Sequence, residues 1–139
     1  FADEDLLQLK VDILVPAALE GSIHKGNAGN VQARTVIEMA NAPVTPEAEV
    51  MLQKKGVLIV PDILSNAGGV TTSYFEWSQN LSGASWKKEV VLKKLREVME
   101  TAFDAVWSVS KEKHLDLRSA AYVLAVRRVV DAMKLRGTQ

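Results

Sequence analysis

Three short segments of this 139-residue chain carry small and amide-bearing side chains suited to holding a ligand: Pro16-Ala17-Ala18, Ala40-Asn41-Ala42-Pro43, and the run from Pro61 through Ser65-Asn66-Ala67 to Gly68-Gly69. Small residues let a bound molecule lie close to the backbone. An Asn amide donates and accepts in one plane, which suits a carboxamide or a ribose hydroxyl. Each segment alone is also ordinary turn chemistry, for which Asn, Gly and Pro are the usual residues. Three together at one edge of a sheet would form a cleft instead. A fourth group is the hydroxyl of Ser73. It is expected on the first turn of a helix beginning near Gly68-Gly69, where it would join the amino end of that helix in facing an anion. An isolated helix serine otherwise faces solvent or bonds back to its own helix.

Other chemistries find less support. His24 and His114 lack the partner spacing that a metal needs and are expected at the surface, so no metal ligands are predicted. The absence of cysteine rules out a disulfide framework and a thiolate zinc site. The run Gly26-Asn27-Ala28-Gly29-Asn30-Val31 imitates a phosphate loop, but Ala28 and Val31 occupy positions that should be glycine, and it is assigned to the irregular connection before a strand. Trp77, Trp86 and Trp107 are expected to pack a helical layer.

The elements that would position these residues fall into two textures, which change near Ser82-Gly83. Before that point, β-branched runs at Val11 to Val15, Arg34 to Glu38 and Val57 to Val60 read as short, buried parallel strands. Thr45-Pro46-Glu47-Ala48-Glu49 reads as a helix start: Thr caps, Pro takes the first helical position, and the carboxylates face the positive helix end. A helix is also expected over Asp3 to Leu9. Strand, helix and strand in this order imply right-handed crossovers and a parallel α/β sheet, with the three candidate segments beyond the carboxyl ends of its strands. After Gly83, apolar residues at Val91, Leu95, Val98, Ala102 and Val106 predict a long amphipathic helix from about Ser85 to Lys113. A second is expected over Asp116 to Arg136, capped by Asp116, stopped at Gly137 and paired antiparallel with the first.

Composition bounds the function classes. Hydrophobic residues make up 47% of the chain, and 17 basic side chains balance 17 acidic ones, which argues against a nucleic-acid binder. No apolar run approaches the roughly 20 residues of a spanning helix, so no membrane role is predicted. The start at Phe1, with no signal-peptide organisation, is read as internal to a longer polypeptide, and a cytoplasmic location is expected.

The segments Asp12-Ile-Leu-Val-Pro-Ala-Ala18, Thr45-Pro-Glu-Ala-Glu49, Val60-Pro-Asp-Ile-Leu-Ser-Asn-Ala-Gly-Gly-Val70, Ser73-Tyr-Phe-Glu-Trp77 and Leu117-Arg-Ser-Ala-Ala-Tyr122 resemble, in order, the glutamate dehydrogenase family. The resemblance covers essentially the whole chain. It implies an α/β fold: a partial Rossmann-like parallel sheet of three strands with crossover helices, then two or three long C-terminal helices. Residues 1–82 would be the second half of a dinucleotide-binding domain and 83–139 a helical segment packed on it. It further implies that Ala17 and Ala18 lie along the adenosine side of NAD or NADP, that Asn41 and Asn66 approach the nicotinamide end, and that Val70 and Ser73 meet the substrate, glutamate or 2-oxoglutarate. The implied partners are the N-terminal catalytic domain of the parent chain and further copies in a homo-oligomer, the family's hexamer.

The family's catalytic lysine and acidic partner, and its Gly-rich phosphate turn, have no counterpart here, so no catalytic residue is assigned within the chain and the isolated chain is expected to be inactive. Two departures fall in the cleft: where the family reads Glu-Gly-Ala-Asn-Gly-Pro, this chain has Glu38-Met39-Ala40-Asn41-Ala42-Pro43. Met39 and Ala42 thus replace glycines. The competing expectations are a non-catalytic interaction module that docks through its long helices, and a fragment of a leucine, phenylalanine or valine dehydrogenase.

Overall fold

Val36, fully buried, sits in the middle of a three-stranded parallel sheet of order β1-β2-β3. In this computed structural model, which describes residues 6–137, the strands are β1 (Ile13–Leu14), β2 (Thr35–Ile37) and β3 (Leu58–Val60). Leu14 pairs with Val36 and Val36 with Ile59, all in parallel register. The strands are shorter than the apolar runs that predict them. Val57, for example, is buried, but its N–H goes to Leu52 O at 3.0 Å in the preceding turn and not to the sheet. The expectation of three buried strands also needs correction at β1: as an outer strand it leaves Ile13 55% exposed.

Between β2 and β3 runs α1 (Pro46–Lys54), which begins as the sequence predicts. Thr45 Oγ1 accepts from Ala48 N at 3.4 Å, Pro46 opens the helix, and Glu47 and Glu49 lie in its first turn. Ala48 and Leu52, four apart, bury one face against Ile23, Val31, Val36, Val44 and Ile59. Full burial of Leu52 alone contributes roughly 1.5–3 kcal/mol.

The crossover from β1 to β2 is irregular, with one 3-10 turn at Ala28–Asn30. Ala28 and Val31, the residues that disqualify a phosphate loop, are core residues. Lys55 Nζ clamps this turn by donating to Gly29 O at 2.8 Å and Val31 O at 2.7 Å. Of the helix expected over Asp3 to Leu9, Asp3 to Asp5 lie outside the described residues, and Leu6 and Leu7 are helical. After β3 comes the single turn α2 (Asp62–Ser65).

The compact units of the chain are Phe1–Ala67 and Gly68–Gln139. The change of sequence texture at Ser82-Gly83 marks a helix end, where Gly83 takes φ 65. The second unit is helical: α3 (Ala67–Ser82), α4 (Lys88–Lys113) and α5 (Leu117–Leu135). The long helix starts at Lys88, not near Ser85, because the Gln79 side chain accepts the Trp86 N–H and holds the link in non-helical form.

Helix α4 ends at His114, which takes the left-handed conformation with φ 53 usually left to glycine. Helices α4 and α5 pack against each other across this short connection. Asp116 caps α5 as expected, accepting from Ser119 N at 2.9 Å and Ser119 Oγ at 2.7 Å, and Gly137 follows its end with φ 71.

The tryptophans behave differently from one another. Trp86 lies 5.8 Å from Phe75 and Trp107 is stacked on Phe103 at 5.9 Å, with Lys94 and Lys111 over the respective rings. Trp77, expected to pack inward, is 56% exposed. Phe75 is the buried aromatic of α3, and two residues further on a helix turns about 200° away. Among the described residues, no helix is long and apolar enough to cross a membrane.

Candidate functional site

Because β1, β2 and β3 are parallel, the segments after them leave from one edge of the sheet. Hydrogen bonds join these segments into a continuous rim. Pro16 O, just after β1, accepts both Met39 N and Ala40 N at 3.0 Å, which ties the first segment to the second. The second is tied to the third by Asn66 Nδ2, which donates to Asn41 Oδ1 at 2.8 Å. That bond sets the polarity of the amide pair: it directs the Asn41 NH2 and the Asn66 carbonyl as the donor and the acceptor of one platform. Such a pair is complementary to a primary carboxamide or to a hydroxyl.

Beneath the amides lies a network of groups to which the sequence alone assigns no individual role. Glu38 is fully buried and its Oε2 accepts Asp62 N at 2.9 Å, at the start of α2. Ser65 Oγ donates to Glu38 O and also to Pro61 O at 3.0 Å. Asp62 Oδ2 in turn accepts Ala42 N at 2.8 Å. The available signal was strand alternation: Val36 and Glu38 are two apart, so a buried Val36 puts the Glu38 carboxylate under the rim as well.

Ala17 and Ala18 are exposed on the first segment. They border an open, mainly apolar hollow of about 390 Å³, whose lining includes Leu6, Leu14, Pro16 and His24. Met39 is 44% exposed, so its side chain leaves the backbone crest and does not fill the core. Ala42 has φ 45. This is a conformation that glycine adopts freely, which gives a physical reason for a glycine at that place.

Of the residues expected at the substrate, Val70 and Ser73 are both exposed on α3, three apart and therefore on one helix face. Ser73 is not on the first turn as expected. The helix begins at Ala67, which puts Ser73 in the second turn, past the amino end. Thr72 bonds back to Gly68 O at 2.8 Å. Trp77 continues the Val70 and Ser73 face one turn on, also exposed.

His24 and His114 are exposed, as expected. Among the described residues no group of three or more His, Asp or Glu side chains is placed to hold a metal ion.

The sequence profile of the Glutamate/Leucine/Phenylalanine/Valine dehydrogenase family matches residues 1–137. A glutamate dehydrogenase from Thermotoga maritima is 53% identical over 135 residues, which is 97% of this chain and 32% of that protein. An NAD-specific glutamate dehydrogenase from Staphylococcus aureus is 46% identical over 136 residues, 98% of this chain and 33% of the relative. Among solved structures, the hetero-hexameric glutamate dehydrogenase from Thermus thermophilus in its Leu-bound form superposes with a TM-score of 0.94 at 40% identity, over 99% of this chain and 33% of that one. The chain therefore spans about a third of the length of the relatives it matches.

Proposed function

Since the chain belongs to the Glutamate/Leucine/Phenylalanine/Valine dehydrogenase family, we propose that it supplies the second half of the nicotinamide-nucleotide cleft of a glutamate dehydrogenase, completed by the rest of a longer polypeptide. In that enzyme L-glutamate would be oxidatively deaminated with water to 2-oxoglutarate and ammonium, and bound NAD or NADP would supply the hydride acceptor. The observation that carries this reading is the Asn66 to Asn41 hydrogen bond of 2.8 Å, which couples two amides, each able to donate and accept, on the rim.

The residues present fit the cofactor. Asn41 and Asn66 would receive the carboxamide or ribose at the nicotinamide end. Ala17 and Ala18, beside the apolar hollow, would lie along the adenosine, whose flat base suits small side chains. Val70 and Ser73 would meet the amino-acid substrate from α3, with the Ser73 hydroxyl donating to the side-chain carboxylate of glutamate. That hydroxyl favours glutamate over the apolar substrates of the leucine, phenylalanine and valine enzymes, which offer it no partner.

Each residue acts by binding and orientation, and proton handling belongs to the absent N-terminal catalytic domain. The outer strand β1, with Ile13 and Val15 exposed, is where the first half of the sheet would continue. The parent enzyme would be a cytoplasmic hexamer.

Titration of the isotope-labelled chain with nicotinamide mononucleotide tests this. The side-chain amide signals of Asn41 and Asn66 should shift ahead of all others, while glutamate should support no reduction of NAD or NADP by the chain alone. Shifts confined to other regions, or turnover by the chain, would overturn the proposal.

A second reading, a non-catalytic module that docks on a partner, is favoured by the exposed Tyr122, Val126, Val129 and Met133 along α5. Light scattering over a concentration series would discount it if the chain stayed monomeric throughout.

A further inference from the structure

The turn that presents Asn41 is built on a residue ill suited to it. At φ 45, Ala42 brings its Cβ against the neighbouring carbonyl, a conformation that glycine adopts without cost and alanine does not. The surrounding structure must hold it there. Backbone contacts do part of this: Gly21 N donates to Ala42 O and Ile23 N to Pro43 O, both at 2.9 Å, and Met39 N and Ala40 N bond to Pro16 O. The contact made by a carboxylate is Asp62 Oδ2 to Ala42 N at 2.8 Å. It grips the backbone of the strained residue itself.

Asp62 is well placed for this. Its own N–H is fixed by the fully buried Glu38 at 2.9 Å, and its Oδ1 accepts Ile63 N at 2.8 Å. The carboxylate is therefore held at the start of α2, directed at the turn. The neighbour of Ala42 is Asn41, whose Oδ1 must meet Asn66 Nδ2 for the amide pair to keep its polarity.

We propose that Asp62 is a positioning residue: its carboxylate holds the left-handed turn at Ala42 and so sets the orientation of the Asn41 amide against Asn66. The use of that amide by a nicotinamide nucleotide rests on the function proposed above. The holding of the turn does not.

The two parts separate in one set of variants of the full 139-residue chain: Asp62→Ala, Asp62→Asn, Ala42→Gly, and Asp62→Ala combined with Ala42→Gly. The readouts are the side-chain amide signals of Asn41 and Asn66 and the dissociation constant for nicotinamide mononucleotide, with the methyl signals of Leu52 and Val36 reporting that the core stays folded. Asp62→Ala should move the Asn66 amide signals toward those of a free amide and weaken nucleotide binding about tenfold. Asp62→Asn, which keeps an acceptor oxygen, should restore most of both. Adding Ala42→Gly should rescue Asp62→Ala, because a glycine turn needs no outside hold.

Equal effects of Asp62→Ala on Ala42 and on Ala42→Gly backgrounds would overturn the proposal. If the nucleotide fails to bind any form, the proposed function falls, while the amide signals still decide the role of Asp62. If Asp62→Ala unfolds the core, the comparison of Asp62→Asn with Ala42→Gly decides it by the same amide signals.

Discussion

Asn66 and Asn41 reach each other at 2.8 Å across two loops that follow different strands, so neither side chain can be altered without changing what the other presents. Removal of either amide is expected to cost about 0.5–1.5 kcal/mol. Because the two share one bond, the double variant Asn41→Ala with Asn66→Ala should cost less than the sum of the singles. Urea denaturation of the four forms measures this. Strict additivity would show that the bond does not persist in solution.

Lys55 joins α1 to the irregular crossover through Gly29 O and Val31 O. Lys55→Met keeps most of the aliphatic stem and removes both bonds, leaving two carbonyls without that donor. A loss of about 1–2 kcal/mol is expected, read as a lower urea midpoint. An unchanged midpoint would mean that water replaces the ammonium at no cost.

Asp116 gives the helical unit a pH dependence. Burial works to raise its carboxyl, but the Ser119 hydroxyl, the Ser119 N–H and the backbone N–H groups of Asp116 and Arg118 outweigh it and hold the group below its ordinary 3.8. A carboxyl lowered on folding adds stability above its unfolded value and loses it as pH falls through the folded value. The thermal midpoint of the chain should therefore exceed that of Asp116→Asn at neutral pH, with the gap closing as pH drops below the ordinary carboxyl range. A gap that stays constant into acid would show that the charge contributes nothing. Asp116→Ala, which removes the cap itself, should cost about 0.5–2 kcal/mol at neutral pH and less in acid.

In an enzyme that carries the rest of the polypeptide, Ser73→Ala should raise the KM for glutamate about tenfold while changing that for the cofactor little. Equal changes in the two constants would take Ser73 out of substrate recognition.

Local chemistry was readable from sequence wherever a short segment determines its own structure. Thr45-Pro46 and Asp116 cap helices, Gly137 ends one, and the parallel strands follow from Val36, Ile59 and their neighbours. What escaped depended on contacts distant in sequence. Nothing in the sequence near Glu38 says that its carboxylate meets the Asp62 backbone N–H under the rim, since 24 residues of chain separate the partners of that 2.9 Å hydrogen bond. Trp77 shows the limit of reading aromatic residues at helical spacing as core, since the helix rotation from the buried Phe75 turns it outward. Ser73 falls outside the first turn by helix geometry alone, since about 3.6 residues complete a turn and it follows both Ala67 and the two glycines by more than that.

The parallel sheet also sets an order of events. Ile13 must find Thr35, and Thr35 must find Leu58, so each ladder closes a loop of about twenty residues before any pairing rewards it. Helices α4 and α5 meet across a short connection and can dock almost as soon as they form. The half that bears the amide rim is thus the slow half to assemble, and a chain emerging during synthesis would carry an unfinished sheet for longer than it carries unpaired helices.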